Sequence, residues 1–330
     1  MMGSNKGFDL QGKIYRVLDG DVSMFDGREI YNGTLVISKG DYLLRVNKEG
    51  GACLKLGDNS ELIIDGTLRL APNSFRKCDM IRVVGSHVKI HGKGSVIGDR
   101  LTHTGSEGEW GMGINFQNAS HATLSGLTIK DCWGDCVYVG KKSADILIKD
   151  CLLDNSRRQG VSVTFADRVT IRNCKITNIS GTYPQYGIDI EPNRKSSVDN
   201  VLIENVDVKN CEGGIRAVLP NAGIGNAMIG RVEIRNCFVS AKTRYPIHLK
   251  RCRQALVEHC VIDATNDRPS IFTKYVDKLR VYGNTLNVDV KLFSSLVNKV
   301  KKQVGKSAYS VIKTLKSGSE VIENNKIIEK

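Results

Sequence analysis

The sequence predicts an all-β fold: a single-stranded parallel β-helix in which every turn of a solenoid supplies three short strands. Three observations predict it. A short apolar alternation returns as GINF at 113, CVYV at 136, GVSV at 160, GIDI at 187, GIRA at 214, PIHL at 246 and SIFT at 270, with spacings of 23, 24, 27, 27, 32 and 24 residues. Between these lies a second unit, two alternating strands broken by a polar bend: ATLSGLTIKDC (122–132), DILIKDCLLDN (145–155), RVTIRNCKITN (168–178), NVLIENVDVKN (200–210), RVEIRNCFVSA (231–241), ALVEHCVIDA (255–264) and KLRVYGNTLNV (278–288). Like residues also recur at like places: Asn173, Asn205 and Asn236 at one bend, with Cys151, Cys174, Cys237 and Cys260 beside it. Three strands in about 24 residues leave no room for crossover helices, so each turn must stack on the last at the ~4.8 Å strand spacing. A propeller blade needs ~40 residues or more, and the L-x-x-L-x-L-x-x-N signature of leucine-rich repeats is missing here.

Residues 1–50 alternate weakly and are expected to form an N-terminal cap, because the open end of a solenoid otherwise invites edge pairing. The β-helix is expected over 51–289. ACLKL (52–56) fits its first face, and SELIIDGTLRLAP (60–72) and SHVKIHGKGSVIGD (86–99) are early rungs. GDRLTHTGSEGEWGMG (98–113) is too long and polar for a bend and predicts a loop on the first-face side. In the later bends the asparagines can bond the bend backbone, and the cysteines fit as small buried apolar groups in a ladder. In VKLFSSLVNKVKKQVGKSAYSVIKTL (290–315) the period breaks. Leu292, Leu296, Val297, Val300 and Val304 have helical spacing, and Lys299, Lys301, Lys302 and Lys306 make the helix basic. SEVIENNKIIE (319–329) predicts a last rung, so 290–330 reads as a C-terminal helical insertion plus that rung.

Net charge is +13, with 41% hydrophobic and 25% charged residues, ordinary for a globular chain. A solvated basic surface and a polyanionic partner both account for the charge. Aromatics make up only 6%, too few for base-stacking platforms, and no helix-turn-helix or zinc-finger pattern occurs, so nucleic acid is not an expected partner. No apolar run approaches the ~18 residues of a membrane helix, and MMGSNKGFDLQGK has no apolar signal core. With ten cysteines read as unpaired thiols, a cytoplasmic chain, or a virion component assembled there, is expected. No His/Cys cluster follows Cys132 and Cys136, so they do not predict a metal centre.

Alternation sorts the first strand of each turn. Ile114, Val137, Val161, Ile188, Ile215, Ile247 and Ile271 are expected inside. The outward row is then Asn115, Tyr138, Ser162, Asp189, Arg216, His248 and Phe272, followed by Gln117, Gly140, Thr164, Glu191, Val218, Lys250 and Lys274. The turn leading into this face adds Glu109, Trp110, Trp133, Asp135, Arg157, Arg158, Gln159, Tyr183 and Tyr186, and Asp99 and His103 lie in the long loop beside it. A purely solvated face would mix lysine, glutamate, serine and threonine. This one gathers acids, arginines, a histidine and both tryptophans, which suits a sugar-binding groove. A ladder of salt bridges, Arg157 or Arg158 to Asp189 and Glu191 to Arg216, is the alternative. Asp189 and Glu191 should have Cβ atoms roughly 6.5–7 Å apart, near the ~6.5–9.5 Å separation of an inverting carboxylate pair. Close like charges raise one pKa while arginines lower another, which can divide such a site into an acid and a base.

The runs GDRLTHTGSEGEWGMGI, WGDCVYVG, SRRQGVSV and YGIDIEPN, within residues 86–219, resemble the pectate-lyase-like superfamily of right-handed parallel β-helices. In polygalacturonase, a better understood relative, four successive rungs carry NTD, GDD, GHG and RIK. The matching rungs here read WGMG, WGDC, RQGV and DIE. Asp135 matches the second Asp of GDD. Met112, Gly134 and Gln159 replace the other catalytic positions, and Asp189 and Glu191 replace the substrate-binding Arg and Lys. The resemblance implies a right-handed solenoid with a carbohydrate site at this place, but with its charges reversed, so polygalacturonase activity itself is not expected.

The leading expectation is a carbohydrate-active enzyme that cleaves a polysaccharide or oligosaccharide by glycoside hydrolysis. Asp135, Asp189 and Glu191 are the candidate catalytic residues. Asp99, His103, Glu109, Trp110, Trp133, Tyr138, Arg157, Arg158, Gln159, Arg216 and His248 are the candidate substrate contacts. A lyase or epimerase acting on an acidic glycan, or a non-catalytic glycan-binding rod that trimerises as phage rods do, are the alternatives. No cofactor is expected. The acids, with Glu109, could ligate Ca²⁺, but no loop has a calcium-binding spacing.

Overall fold

The computed structural model describes residues 7–17, 25, 27–219, 226–289 and 311–329. Among them the strands form three sheets of 12, 12 and 11 members, and successive turns of the chain add one strand to each. Neighbouring strands pair in parallel throughout, as in Val161–Val163 on Tyr186–Ile190 and Tyr186–Ile190 on Gly213–Val218.

The inward stack is the one that alternation predicts. Ile114, Val137, Val161, Ile188, Ile215, Ile247 and Ile271 stand in register and are fully buried. Ile171, Ile203 and Ile234 form a similar stack in the second sheet, and Ile176, Val208 and Val239 in the third. Each buried β-branched side chain is worth roughly 1.5–3 kcal/mol of transfer free energy. Glycine opens many first-sheet strands because the neighbouring turn leaves no space for a side chain. A Cβ at Gly187 would meet Val208 of the third sheet, and one at Gly214 would meet the Pro246 carbonyl.

The bends also follow the repeat. Asp150, Asn173, Asn205, Asn236 and His259 all hold φ between 52° and 55°, a left-handed conformation that asparagine and aspartate tolerate best after glycine. Their side chains form a ladder: Asn205 Nδ2 donates to Asn173 Oδ1 at 2.8 Å, and Asn173 Nδ2 to Asp150 Oδ1 at 3.1 Å. One residue later, the Cys151, Cys174, Cys237 and Cys260 thiols donate to carbonyls two residues back. All ten cysteines are buried and free.

Two expectations need correction. Residues 1–50 are not only a cap: Phe8–Asp9, Ile14–Val17, Glu29–Tyr31, Gly33–Ile37 and Asp41–Leu44 already join the three sheets. Their alternation is faint because the strands are short, yet Leu35, Ile37, Tyr42 and Leu44 are buried like later rungs. Of the expected C-terminal helix, 290–310 lies outside the described residues. Its final part, Ile312–Leu315, is a strand paired with Ile271–Lys274. Ser319–Glu323 and Lys326–Glu329 then complete the expected last rung.

Candidate functional site

The outward row of the first sheet runs in register through Arg82, Asn115, Tyr138, Ser162, Asp189, Arg216, His248 and Phe272. At its centre, Asp189 is 2% exposed. Both of its carboxylate oxygens accept from Arg216 Nη1 at 2.9 Å, and Oδ2 also accepts from Gln159 Nε2 at 3.0 Å. Gln159 is fully buried, and its Oε1 accepts the Tyr186 backbone N–H at 2.7 Å, which turns its amide nitrogen toward Asp189. Arg216 reaches on to Glu191: Nη1 donates to Oε2 at 2.9 Å and Nη2 to Oε1 at 3.1 Å. One guanidinium thus clamps both acids in a fork.

Burial pushes the Asp189 carboxyl up to about 7, with Arg216 opposing the rise and Glu191 adding to it. Burial disfavours the Arg216 charge, but Asp189 and Glu191 outweigh it and hold the guanidinium above its ordinary value. Asp135, two rungs away and wholly buried, is also raised by burial, against the pull of Arg158. Arg158 Nη1 sits 3.3 Å from Asp135 Oδ2, and its Nε lies 3.4 Å from Glu109 Oε2.

Three adjoining cavities make a groove along this face. The central one, about 80 Å³, is lined by Trp110, Tyr138, Arg158, Ser162, Asp189 and Glu191. Toward the N-terminus, Trp110 and Tyr138 are shared with a cavity of about 350 Å³ that also holds Lys77, Asp79, Arg82 and Lys141. Toward the C-terminus, Arg216 leads into a cavity of about 260 Å³ with Tyr186, Arg244, Tyr245, His248 and Arg268.

Of the expected site residues, Trp110, Tyr138, Arg158, Asp189, Glu191, Arg216 and His248 line this groove. Glu109 pairs with Arg158 at its edge, while Gln159 and Asp135 lie beneath the surface. Asp99, His103, Trp133 and Arg157 instead form a separate packed stack. His103 Nδ1 is 2.7 Å from Asp99 Oδ2, and both side chains are 1% exposed. The His103 ring stacks on Trp133 at 3.8 Å between centroids, and the Arg157 guanidinium lies 3.7 Å from the same centroid. Two groups that close cannot share one face, so Trp133 is sandwiched between them. Arg157 Nη1 also donates to the Gly108 carbonyl at 2.7 Å. These four residues pin the long loop to the solenoid.

The sequence reading missed Lys77, Asp79, Arg82 and Lys141 at one end of the groove, and Arg244, Tyr245 and Arg268 at the other. Extending the outward row one turn before Asn115 would have found Arg82. Of the expected salt bridges, Glu191 to Arg216 forms, whereas Asp189 also takes Arg216 and Arg158 pairs with Asp135. Among the described residues no three metal-type side chains converge. A cation on Asp189 and Glu191 would have to displace Arg216.

Residues 44–194 match the family described as "Right handed beta helix region". The chain is 30% identical over 207 residues to the uncharacterized protein YclG of Bacillus subtilis, covering 54% of this chain and 35% of YclG. It thus spans about a third of that relative's length. Among solved structures, the A-module of the mannuronan C-5 epimerase AlgE6 from Azotobacter vinelandii superposes with a TM-score of 0.60 at 12% identity, over 94% of this chain and 96% of that one. A tailspike double mutant of E. coli bacteriophage HK620, in complex with a pentasaccharide, gives 0.57 at 14% identity, over 89% and 60%. The fold of the chain is a right-handed parallel β-helix.

Proposed function

We propose that this protein is a carbohydrate-active enzyme that hydrolyses a glycosidic bond of a polysaccharide laid along the first-sheet groove, with Asp189 and Glu191 as its catalytic carboxylate pair. The observation that carries this reading is the Asp189–Arg216–Glu191 clamp at the floor of the central cavity. Burial holds Asp189 near 7, where a carboxyl can both carry and release a proton. Glu191 is the more open of the two, with 28% of its side chain exposed. Both acids bond the same nitrogen at 2.9 Å, so their nearest oxygens are at most twice that distance apart. That is closer to the ~5–5.5 Å of a retaining pair than to the inverting separation that strand geometry alone suggests. A sugar carboxylate that engages Arg216 would release the acids from their shared partner.

A second reading is favoured by Arg216 and Arg158 standing beside the acids. On a uronate they would neutralise the substrate carboxylate, and Asp189 would take the C5 proton, as a lyase or epimerase requires. The AlgE6 module, whose fold is similar, is a mannuronan epimerase. The test is a turnover screen on acidic and neutral polysaccharides with wild type and Asp189→Asn. It follows reducing ends, unsaturated-uronate absorbance, and C5 configuration by proton NMR. Reducing ends alone, lost in the variant, support hydrolysis. Absorbance or inversion at C5 selects the second reading. Binding without any product makes the protein a glycan-binding rod and overturns both.

A further inference from the structure

Beyond Arg216 the groove changes character. The cavity of about 260 Å³ there is lined by arginine, lysine, histidine, tyrosine and Val218, and among the described residues no carboxylate lines it. Arg244 lies over the Tyr183 ring at 4.7 Å, and Arg268 lies over the Tyr245 ring at 5.0 Å. Tyr245 in turn stacks on Phe272 at 4.8 Å and tilts against His248 at 4.9 Å, so its ring is held from behind. Among the described residues neither Arg244 nor Arg268 forms an ion pair, and the buried Nε of Arg244 has no hydrogen-bond partner. The other arginines that line the groove have acids: Arg82 has Asp79, Arg158 has Asp135 and Glu109, and Arg216 has Asp189 and Glu191. Burial, and then Arg216, Lys250 and Arg268, push the His248 imidazole down to about 3.

We propose that this cavity is a subsite for a sugar bearing a carboxylate or sulfate, with Arg244 and Arg268 holding the anion and Tyr183 and Tyr245 flanking the ring. The inference rests on the reading of the groove as a glycan site and names its substrate class. Tyrosine faces offer a pyranose apolar area with a polar rim, and guanidinium groups grip planar or tetrahedral oxyanions by paired hydrogen bonds. The volume is below the ~300–1,000 Å³ of drug-sized sites, so it accommodates one ring rather than a chain. His248 lies one rung from Arg216 and two from Asp189, so the anionic sugar sits next to the reacting bond.

The experiment is titration calorimetry of the full chain with three oligosaccharide probes of equal length: a galacturonate, a sulfated galactan and a neutral galactan. Wild type is compared with Arg244→Gln, Arg268→Gln and the double variant, and ligand-free melting checks that each folds. Arg268 is exposed, so its variant keeps the test alive if the Arg244 change perturbs folding. One anionic probe should bind wild type, and the double variant should lose roughly ten- to a hundredfold in affinity, with a shallower salt dependence. The galacturonate and sulfated arms identify which anion is meant. Equal anionic binding by wild type and double variant overturns the subsite while leaving the groove reading standing. Binding of the neutral probe as tightly as both anionic ones does the same. If no probe binds, the groove reading fails and the subsite fails with it.

Discussion

Asp41 and Asp189 carry the same carboxyl, but their surroundings give them different chemistry. The Asp41 side chain is 60% exposed and pairs with Arg69 at the surface. Such a pair is worth ~0–1 kcal/mol. Asp189 is out of water and depends on Arg216 and Gln159. Its carboxyl stands at about 7, against ~3.9 for a free aspartate. The folded protein therefore keeps a proton that the unfolded chain has lost. That contribution is complete below about pH 4 and is lost as pH rises to about 7. Asp189→Asn should flatten the fall in stability across this window by on the order of a few kcal/mol, read from urea unfolding at a series of pH values. Parallel curves for the two proteins would show that Asp189 does not titrate there. Arg216→Gln strands two acids at once and should cost about 3–5 kcal/mol. Adding Asp189→Asn and Glu191→Gln to it should recover part of that loss in the same assay.

The bend between the second and third sheets is the element with the most regular chemistry. Asn205 combines a φ of 52° with a hydrogen bond to Asn173. Asn205→Ala should lose ~1–2 kcal/mol, because alanine resists the left-handed conformation and also gives up the bond. Asn205→Gly keeps the backbone freedom and should lose less. Equal melting temperatures for the two variants would mean that the ladder, and not φ, sets the cost. These bends were legible in the sequence because asparagine recurs in successive turns. The stretch at 98–113 was legible as a loop, and is one as far as Glu109, before the strand Trp110–Gln117. Its internal packing was not legible, because it has no periodicity. Asp99 and His103 bond each other against Trp133, a partner some 30 residues on, and only the folded chain brings it near.

Across the whole molecule, each turn touches mainly the turns beside it, so stability should follow nearest-neighbour contacts. Ile188 lies mid-solenoid and is fully buried, whereas Ile322 of the last turn is 42% exposed. Ile188→Ala should cost about 2–5 kcal/mol, and Ile322→Ala much less, by urea unfolding. Amides of Lys326–Glu329 should exchange with deuterium well before those of Tyr186–Ile190, because among the described residues this strand pairs on one side alone, whereas Tyr186–Ile190 pairs on both. Uniform protection along the chain would contradict that view.

The solenoid itself was written in the sequence. A period of two within strands and of 23 to 32 residues between turns assigns the inward isoleucines and valines of the first sheet and its outward row from Asn115 to Phe272, because pleated strands alternate faces whatever surrounds them. Alternation likewise placed Asp189 and Glu191 on one face. It could not decide how they are used. That Arg216 takes Asp189 as well as Glu191, that Arg158 takes Asp135, and that Arg244 and Arg268 face a cavity with no acid among the described residues were decided by the tertiary structure. These pairings join side chains from different turns and from loops without a repeat, and a carboxyl's charge depends on the burial and partners that such packing supplies.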